Sequence, residues 1–375
     1  MSKHVTILDN GVAFSNVENV FGYSAFPSVA RDADGNILMV CTGDRIMHVC
    51  PYGKVLLLKS KDEGRTWSSP MIAIDTPLDD RDAGILNLGN GRLLLSTFTN
   101  TRELQRAWAD GGKSGLDSSY FGANDILRNL SLAYLPAVSD RQEESYIGSL
   151  ISISENNGFS WGEPFKVPVT APHGPSLLKD GSLIYAGTPY FSEPEDLHYP
   201  IAVYRSDNHR DFYKIASIPV CPQKPDVLYS EPHIIELPNG RMVLHIRMDE
   251  LGKKYEDRLF SICQSVSDDG GKTWSVPALT GATGAPPHLF CHSSGTLISA
   301  YGRRIPGYGI HVMISKDHAD HWDLDYYIWD RGENVDLGYP ATVELDNGDL
   351  FTVYYAMRPG ERSCSILWTR WKLPK

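Results

Sequence analysis

One recurrence limits what this chain can become more than any other feature. An apolar run, a turn closing on glycine and a run of strand-forming residues follow one another six times. The turns are Asp34-Gly35, Asn90-Gly91, Asp180-Gly181, Asn239-Gly240, Ser294-Gly295 and Asn347-Gly348. Such pairs mark tight hairpins, because glycine enters the left-handed backbone region without strain. The runs that follow are strand formers, as in Ile37-Leu38-Met39-Val40 and Leu350-Phe351-Thr352-Val353-Tyr354. Successive turns lie 56, 90, 59, 55 and 53 residues apart, so one period of about 55 emerges once an insertion is taken out of the 90. Six copies of a four-stranded unit predict an all-β chain folded as a six-bladed β-propeller. Residues 1–375 read as one propeller domain. The insertion covers about residues 101–145 in blade two and is partly helical, around Arg102-Glu103-Leu104-Gln105-Arg106-Ala107-Trp108. Ring closure is expected between Val5-Thr6-Ile7-Leu8 and Ser365-Ile366-Leu367-Trp368, since a ring removes exposed strand edges.

A second repeat is an octapeptide. Its copies are Ser60-Lys61-Asp62-Glu63-Gly64-Arg65-Thr66-Trp67, Ser154-Glu155-Asn156-Asn157-Gly158-Phe159-Ser160-Trp161 and Ser267-Asp268-Asp269-Gly270-Gly271-Lys272-Thr273-Trp274. A worn copy keeps Ser315, Asp317 and Trp322 but has Ala319 in the glycine position. Asp or Asn bonds back to its own backbone, glycine takes a positive φ, and the indole plugs the turn from below. Asp62, Asn156 and Asp269 therefore read as turn-holding residues.

Composition removes several classes of function. Glycine (33) and proline (24) are too frequent for a helical bundle. No run approaches the ~18 consecutive apolar residues of a membrane span, so no membrane partner is expected. Thirty-five basic and 46 acidic residues leave a net charge of −11, which speaks against nucleic acid as a partner. The six cysteines, Cys41, Cys50, Cys221, Cys263, Cys291 and Cys364, form no Cys-x-x-Cys pair, so neither zinc nor thiol redox chemistry is suggested. With no apolar leader after Met1, a reduced, cytoplasmic setting fits.

The hairpin register predicts a site. Residues equidistant from a turn lie side by side, so the start of each first strand and the end of its second meet on one face of the disc. Eight residues before each turn stand Phe26, Asp82, Pro172, Glu231, Pro286 and Tyr339. Six before stand Ser28, Gly84, Gly174, His233, His288 and Ala341. The second strands end at Asp44, Arg247, Asp249, Arg303 and Arg304. Strand alternation puts the first two sets on one side. Asp82, Glu231, His233, Arg247, His288 and Tyr339 are expected to converge on one pocket at the channel mouth. The octapeptides fall on the opposite face. The insertion leaves the end of a second strand after Phe98, which places it over the mouth as a lid or specificity wall.

The octapeptides resemble the Asp boxes of the sialidase (neuraminidase) superfamily of six-bladed propeller glycosidases, and the resemblance runs over nearly the whole chain. It implies that Tyr339, in Asp336-Leu337-Gly338-Tyr339-Pro340, is the nucleophile. It implies that Glu231, in Tyr229-Ser230-Glu231-Pro232, activates that tyrosine. A neutral phenol avoids charge repulsion where the anomeric carbon carries a carboxylate. Arg247, in His245-Ile246-Arg247, matches a member of the arginine triad, whose fork holds a carboxylate. Arg303 or Arg304 matches another, and Arg45 matches a blade-one arginine. The chain departs from the family at Ala25-Phe26-Pro27, where an Arg-Ile-Pro belongs. It departs again in the loop from Asp44 to Tyr52, whose only acid is Asp44.

The acid/base is therefore assigned first to Asp82, with Asp44 and His48 behind it. His173, His233 and His288 open three adjacent blades and suit proton transfer or hydrogen bonding to sugar hydroxyls. Three histidines could hold a divalent metal. His173 is one residue out of register, and no metal or other cofactor is expected. The expected function is a sialidase-like exo-glycoside hydrolase acting on a terminal, acidic sugar of an oligosaccharide or glycoconjugate. Substrate contacts are expected from Asp44, Arg45, His48, His173, His233, Arg247, His288, Arg303 and Arg304. Two alternatives stand beside it. One is a polysaccharide lyase on uronic-acid chains, with a histidine and Tyr339 as base and acid. The other is a non-catalytic carbohydrate-binding propeller.

Overall fold

The six predicted turn glycines all have positive φ, between 77° and 90°. Around them the described residues form six sheets, antiparallel but for one short N-terminal pairing. The computed structural model describes residues 3–110, 125–189 and 198–374. Blade one is typical: Tyr23–Arg31, Ile37–Arg45, Lys54–Ser60 and Met71–Ile74 follow one another outward from the axis. The remaining inner strands are Arg81–Gly89, Ser176–Leu177, Leu228–Glu236, Pro287–Cys291 and Leu337–Glu344. Second strands are largely buried because they are covered by the blades on both sides. Met242–Asp249 is buried at every residue. The interblade layers mix neighbours, as where Ala25 and Val29 of blade one pack with Ala341 and Val353 of blade six.

Blade three is the irregular one. Its inner strand pairs only over Ser176 and Leu177, and Val169–Thr170 joins the next strand separately. Pro172 and Pro175 lack the N–H a ladder needs, so pairing cannot run through them.

Blade six is completed by the N-terminal strand Thr6–Phe14, antiparallel to Ser365–Lys372. The expected closure is present. Its register pairs Ile7 with Trp371, and Val12 with Leu367. The chain continues backward from there, and Lys3–His4 pairs in parallel with Tyr326–Tyr327 of blade five. One segment thus ties two blades.

The octapeptides join third to fourth strands. In the first, Ser60 Oγ accepts from Gly64 N (2.8 Å), Asp62 accepts from Thr66 N and Oγ1 (2.8 and 2.7 Å), and Trp67 Nε1 donates to Gly64 O (3.0 Å). The worn copy keeps the scheme: Ala319 adopts φ 74° and still donates to Ser315 Oγ (2.9 Å). A further turn of the same design follows Ser206, where Asn208 accepts from Arg210 N and Asp211 N (3.0 and 2.8 Å). Its sequence, Ser206-Asp207-Asn208-His209-Arg210, has no glycine and hides the likeness; His209 supplies the positive φ of 63°.

Among the described residues between the second and third strands of blade two lie three short α-helices, α1 (Arg102–Ala109), α2 (Asp125–Tyr134) and α3 (Asp140–Tyr146). Ser139 and Gln142 form a capping box at the start of α3. Arg102 ties α1 to α3 by donating from Nε to Glu143 Oε2 (2.6 Å). No described helix is long and apolar enough to cross a membrane.

Candidate functional site

The register position eight residues before each turn carries the site. Phe26, Asp82, Glu231 and Tyr339 share one unusual backbone state, with φ of 54°, 50°, 48° and 49°. In each of these blades the inner strand has one residue more than its partner across this position. Ser230 pairs with Arg247 but His233 with His245, and Gly338 pairs with Tyr355 but Ala341 with Val353. The same offset separates Arg81 from Gly84 and Ala25 from Ser28. Four blades therefore carry one bulge at one place. Blades three and five have Pro172 and Pro286 there, whose rings hold φ negative. A left-handed residue of this kind costs roughly 1–3 kcal/mol, and such strain collects at functional sites. Here it turns four side chains toward the axis.

The four meet. Tyr339 Oη donates to Glu231 Oε1 (2.6 Å) across the channel. Arg247 Nη1 donates to Glu231 Oε2 (2.5 Å), so both carboxylate oxygens are held. Burial pushes the Glu231 carboxyl up, but the Arg247 charge and the Tyr339 hydroxyl outweigh it and leave Glu231 below the ordinary glutamate range. Asp82 goes the other way. Burial raises its carboxyl to about 7, with the Glu231 charge adding to the shift against the pull of Arg81. Two carboxyls within electrostatic reach are thus pushed apart, one ionised and one protonated near neutrality, which is how acid and base roles divide. The Tyr339 phenol is raised well above its usual value, first by burial and then by the Asp82 and Glu231 charges.

The ring of Phe26 lies edge-on to Tyr339, 5.0 Å between centroids, and beneath the Arg81 guanidinium at 4.6 Å. Asp82 and Glu231 both border a cavity of about 370 Å³ between blades two, three and four, with Phe98, Pro172, Thr170, Thr188, Pro189 and Ser230.

Of the expected pocket residues, Asp82, Glu231, Arg247 and Tyr339 come together. Arg304 joins them, stacked 5.6 Å from the Tyr339 ring, with Nη1 donating to Tyr255 Oη. Arg247 Nη2 also reaches Tyr255 Oη (3.4 Å).

Other assignments need correction. Arg45 is fully buried and paired with Asp79 (2.6 Å), and its Nη2 donates to His48 O (2.6 Å), which fastens the blade-one loop. Asp44 sits within electrostatic reach of Cys41 and Lys54, toward the third strand of its blade. Arg303 acts on Tyr301 and His311, because neighbouring strand residues point to opposite sides and Arg304 takes the inner one.

His173, His233 and His288 do cluster, with centroids 4.5 to 5.5 Å apart, but one step deeper in the channel than the carboxylates. His233 Nδ1 accepts from Leu289 N (2.9 Å), and His288 Nδ1 accepts from Thr342 N (3.4 Å). Burial drives all three well below the usual histidine pKa, so the cluster is neutral, and both ring nitrogens of His173 lack a hydrogen-bond partner. No group of three metal-ligating side chains with metal-binding geometry occurs among the described residues.

His48 contacts the site from one side. Its Nδ1 lies 2.7 Å from Tyr23 Oη and 3.2 Å from Asp336 Oδ1, and burial lowers its pKa to about 4. Asp336, missed by the register count, is fully buried and accepts from Tyr23 Oη (2.8 Å) and Tyr355 Oη (2.9 Å). Trp108 of α1 stacks on His48 at 5.7 Å, which brings the helical segment to the mouth. Arg81 was also missed. It carries no turn or repeat signal, and its Nη1 donates to His48 O (2.5 Å).

A BNR repeat-like domain model matches residues 124–352. No curated protein matches the chain. Among solved structures, a protein of unknown function from Dyadobacter fermentans is 22% identical over 99% of both chains, with a TM-score of 0.73. The NanB sialidase of Streptococcus pneumoniae is 14% identical over 99% of this chain and 70% of its own, with a TM-score of 0.60. The α-L-arabinofuranosidase Arb93A of Fusarium graminearum is 13% identical over 98% of both, with a TM-score of 0.62. These likenesses are likenesses of fold.

Proposed function

The chain belongs to the BNR repeat-like domain family, and we propose that it is a glycoside hydrolase that removes a terminal sugar from an oligosaccharide or glycoconjugate. The observation that carries the reading is the 2.6 Å hydrogen bond from Tyr339 to Glu231 beside a carboxyl, Asp82, raised to about 7. Sialidases and arabinan-cleaving enzymes share the fold, which supports the reading without deciding it.

Asp82 gives its proton to the glycosidic oxygen as the bond to the anomeric carbon breaks. Tyr339 Oη forms the new bond to that carbon while Glu231 takes the phenol proton. Asp82, now a carboxylate, deprotonates a water that attacks the same carbon, and Glu231 returns its proton to the leaving phenol. Burial keeps the Tyr339 proton tightly bound, so the reaction needs Glu231 at hydrogen-bond distance.

A second reading rests on the cavity. Glu231 borders it together with Asp82, whereas Tyr339 is 4% exposed. In that version Glu231 attacks directly and Tyr339 orients it. Kinetics on one turned-over glycoside separate the two. With Tyr339 as nucleophile, Tyr339→Phe and Glu231→Gln each lower kcat by about 10²–10⁴-fold. With Glu231 as nucleophile, Glu231→Gln does so and Tyr339→Phe costs about tenfold or less. An unsaturated sugar product absorbing in the ultraviolet would overturn hydrolysis in favour of elimination. Elimination would need a histidine base, and burial makes His233 and His288 weak bases.

A further inference from the structure

Arginines bind acidic sugars only through donors that are still free. Arg247, the residue that matches the family triad, has its fork already taken: Nε and Nη2 each donate to Asp249 at 2.6 Å, Nη1 donates to Glu231 and Nη2 also reaches Tyr255, so four of its five N–H donors are engaged. Asp249 is 2% exposed and holds the guanidinium fork bidentately, as a substrate carboxylate would. The protein has placed its own carboxylate in that position.

Arg45 and Arg81 are also paired, whereas Arg304 keeps unpartnered donors but stands away from the cavity. Arg45 faces Asp79, and Arg81 donates to the His48 carbonyl and to Asp79 Oδ2 (3.4 Å). Arg304 donates to Tyr255, and its Nε and Nη2 have no partner. It is 2% exposed, lies behind the Tyr339 ring and does not border the cavity. Phe26 fills the bulge position of blade one and sets an apolar ring against Tyr339.

Among the described residues the cavity has no cationic side chain. Its ionisable groups are Asp82 and Glu231, and its walls include Phe98 and Pro172 with the hydroxyls of Thr170, Thr188 and Ser230. A carboxylate brought in here would meet one fixed negative charge and a second carboxyl it would oppose ionising. Apolar faces with scattered hydroxyls suit the CH surfaces and hydroxyls of a neutral sugar.

We infer that the cavity between blades two, three and four takes an uncharged glycone, and that Asp249 excludes acidic sugars by occupying the fork of Arg247. This rests on the hydrolase reading for the place where the sugar sits, but not for the chemistry done to it.

The test is saturation-transfer NMR on the full chain at pH 7 with matched probes. These are the methyl glycosides of neutral pentoses and hexoses, the methyl glycosides of the corresponding uronic acids, and N-acetylneuraminic acid. At least one neutral glycoside should bind about tenfold or more tightly than its uronic-acid partner, a difference of ~1.4 kcal/mol. Asp249→Asn should narrow that gap by freeing the Arg247 fork. Should Asp249→Asn not fold, the wild-type comparison stands alone. Tighter binding of any acidic probe than of its neutral match overturns the inference, as does binding of none of the probes at millimolar concentration. Neutral binding without turnover keeps the inference and removes only the hydrolase reading.

Discussion

Asp82 sits on a left-handed bulge, buried between the Arg81 guanidinium and the Glu231 carboxylate, and burial lifts its carboxyl to about 7. Two pH effects follow. As the acid, Asp82 must carry its proton, so kcat/KM falls as pH rises through about 7, while the acid limb set by Glu231 lies below the ordinary glutamate range. The second effect is on stability. The folded state binds the Asp82 proton more tightly than the unfolded chain, whose aspartates titrate near about 3.9. Its contribution is fully present below that value and is lost as pH climbs through the folded value near 7. Asp82→Asn should therefore flatten the fall in denaturant stability between pH 5 and 8 and abolish the alkaline limb of activity. The loss of turnover should be largest for substrates with poor leaving groups. An alkaline limb unchanged in Asp82→Asn would assign the acid to another residue.

The repeated elements hold these side chains by local geometry. Each octapeptide needs its positive-φ residue and the plug below it. Gly64 has φ 88°, and a β-carbon there would lie 2.5 Å from Phe351 Cε2. Gly64→Ala should cost roughly 1–3 kcal/mol in chemical denaturation, from overpacking and backbone strain together, with kcat little changed because the turn is on the far face. Gly91, by contrast, has no close wall, its nearest neighbour being Asn157 Oδ1 at 3.7 Å, so Gly91→Ala should cost only the strain of φ 77°. The helical segment acts at the mouth. Trp108 stacks on His48, whose carbonyl receives Arg45 and Arg81. Trp108→Ala should raise KM more than it lowers kcat, because it loosens a wall and leaves the Tyr339–Glu231 bond in place. A selective fall in kcat with unchanged KM would instead tie Trp108 to the chemistry.

The ring as a whole depends on one N-terminal segment. Thr6–Phe14 supplies the outer strand of blade six, and Lys3–His4 extends the tie to blade five. Removing residues 1–14 leaves the edge of Ser365–Lys372 unpaired and discards a strand's worth of hydrogen bonds. At ~0.5–1.5 kcal/mol each, that is on the order of several kcal/mol. The truncated chain should melt at lower temperature and self-associate through the bared edge, seen as a concentration-dependent sedimentation profile. An unchanged melting temperature would show that blade six closes without its outer strand.

Blade number, turn positions, the closing strand and the face on which the polar residues gather were legible in the chain, because each depends on residue types at a fixed spacing. Glycine at Gly35 or Gly348 is demanded by a positive φ, and counting back from such turns reached Phe26, Asp82, Glu231 and Tyr339. The roles of long side chains were not legible. Asp44 and Arg45, or Arg303 and Arg304, are adjacent in sequence, yet one of each pair turns inward and the other does not, and the bulges that shift strand parity leave no mark in composition. Whether Arg247 meets a substrate or Asp249 depends on which carboxylate reaches its fork first, two residues along the same strand. Asp336 and Arg81 gain much of their importance from neighbours more than thirty positions away, such as Tyr23 and His48. Local backbone demands are written residue by residue. Charge pairing and burial arise only when distant strands are brought to one axis, and they decide which of the inward-facing groups stay free to act.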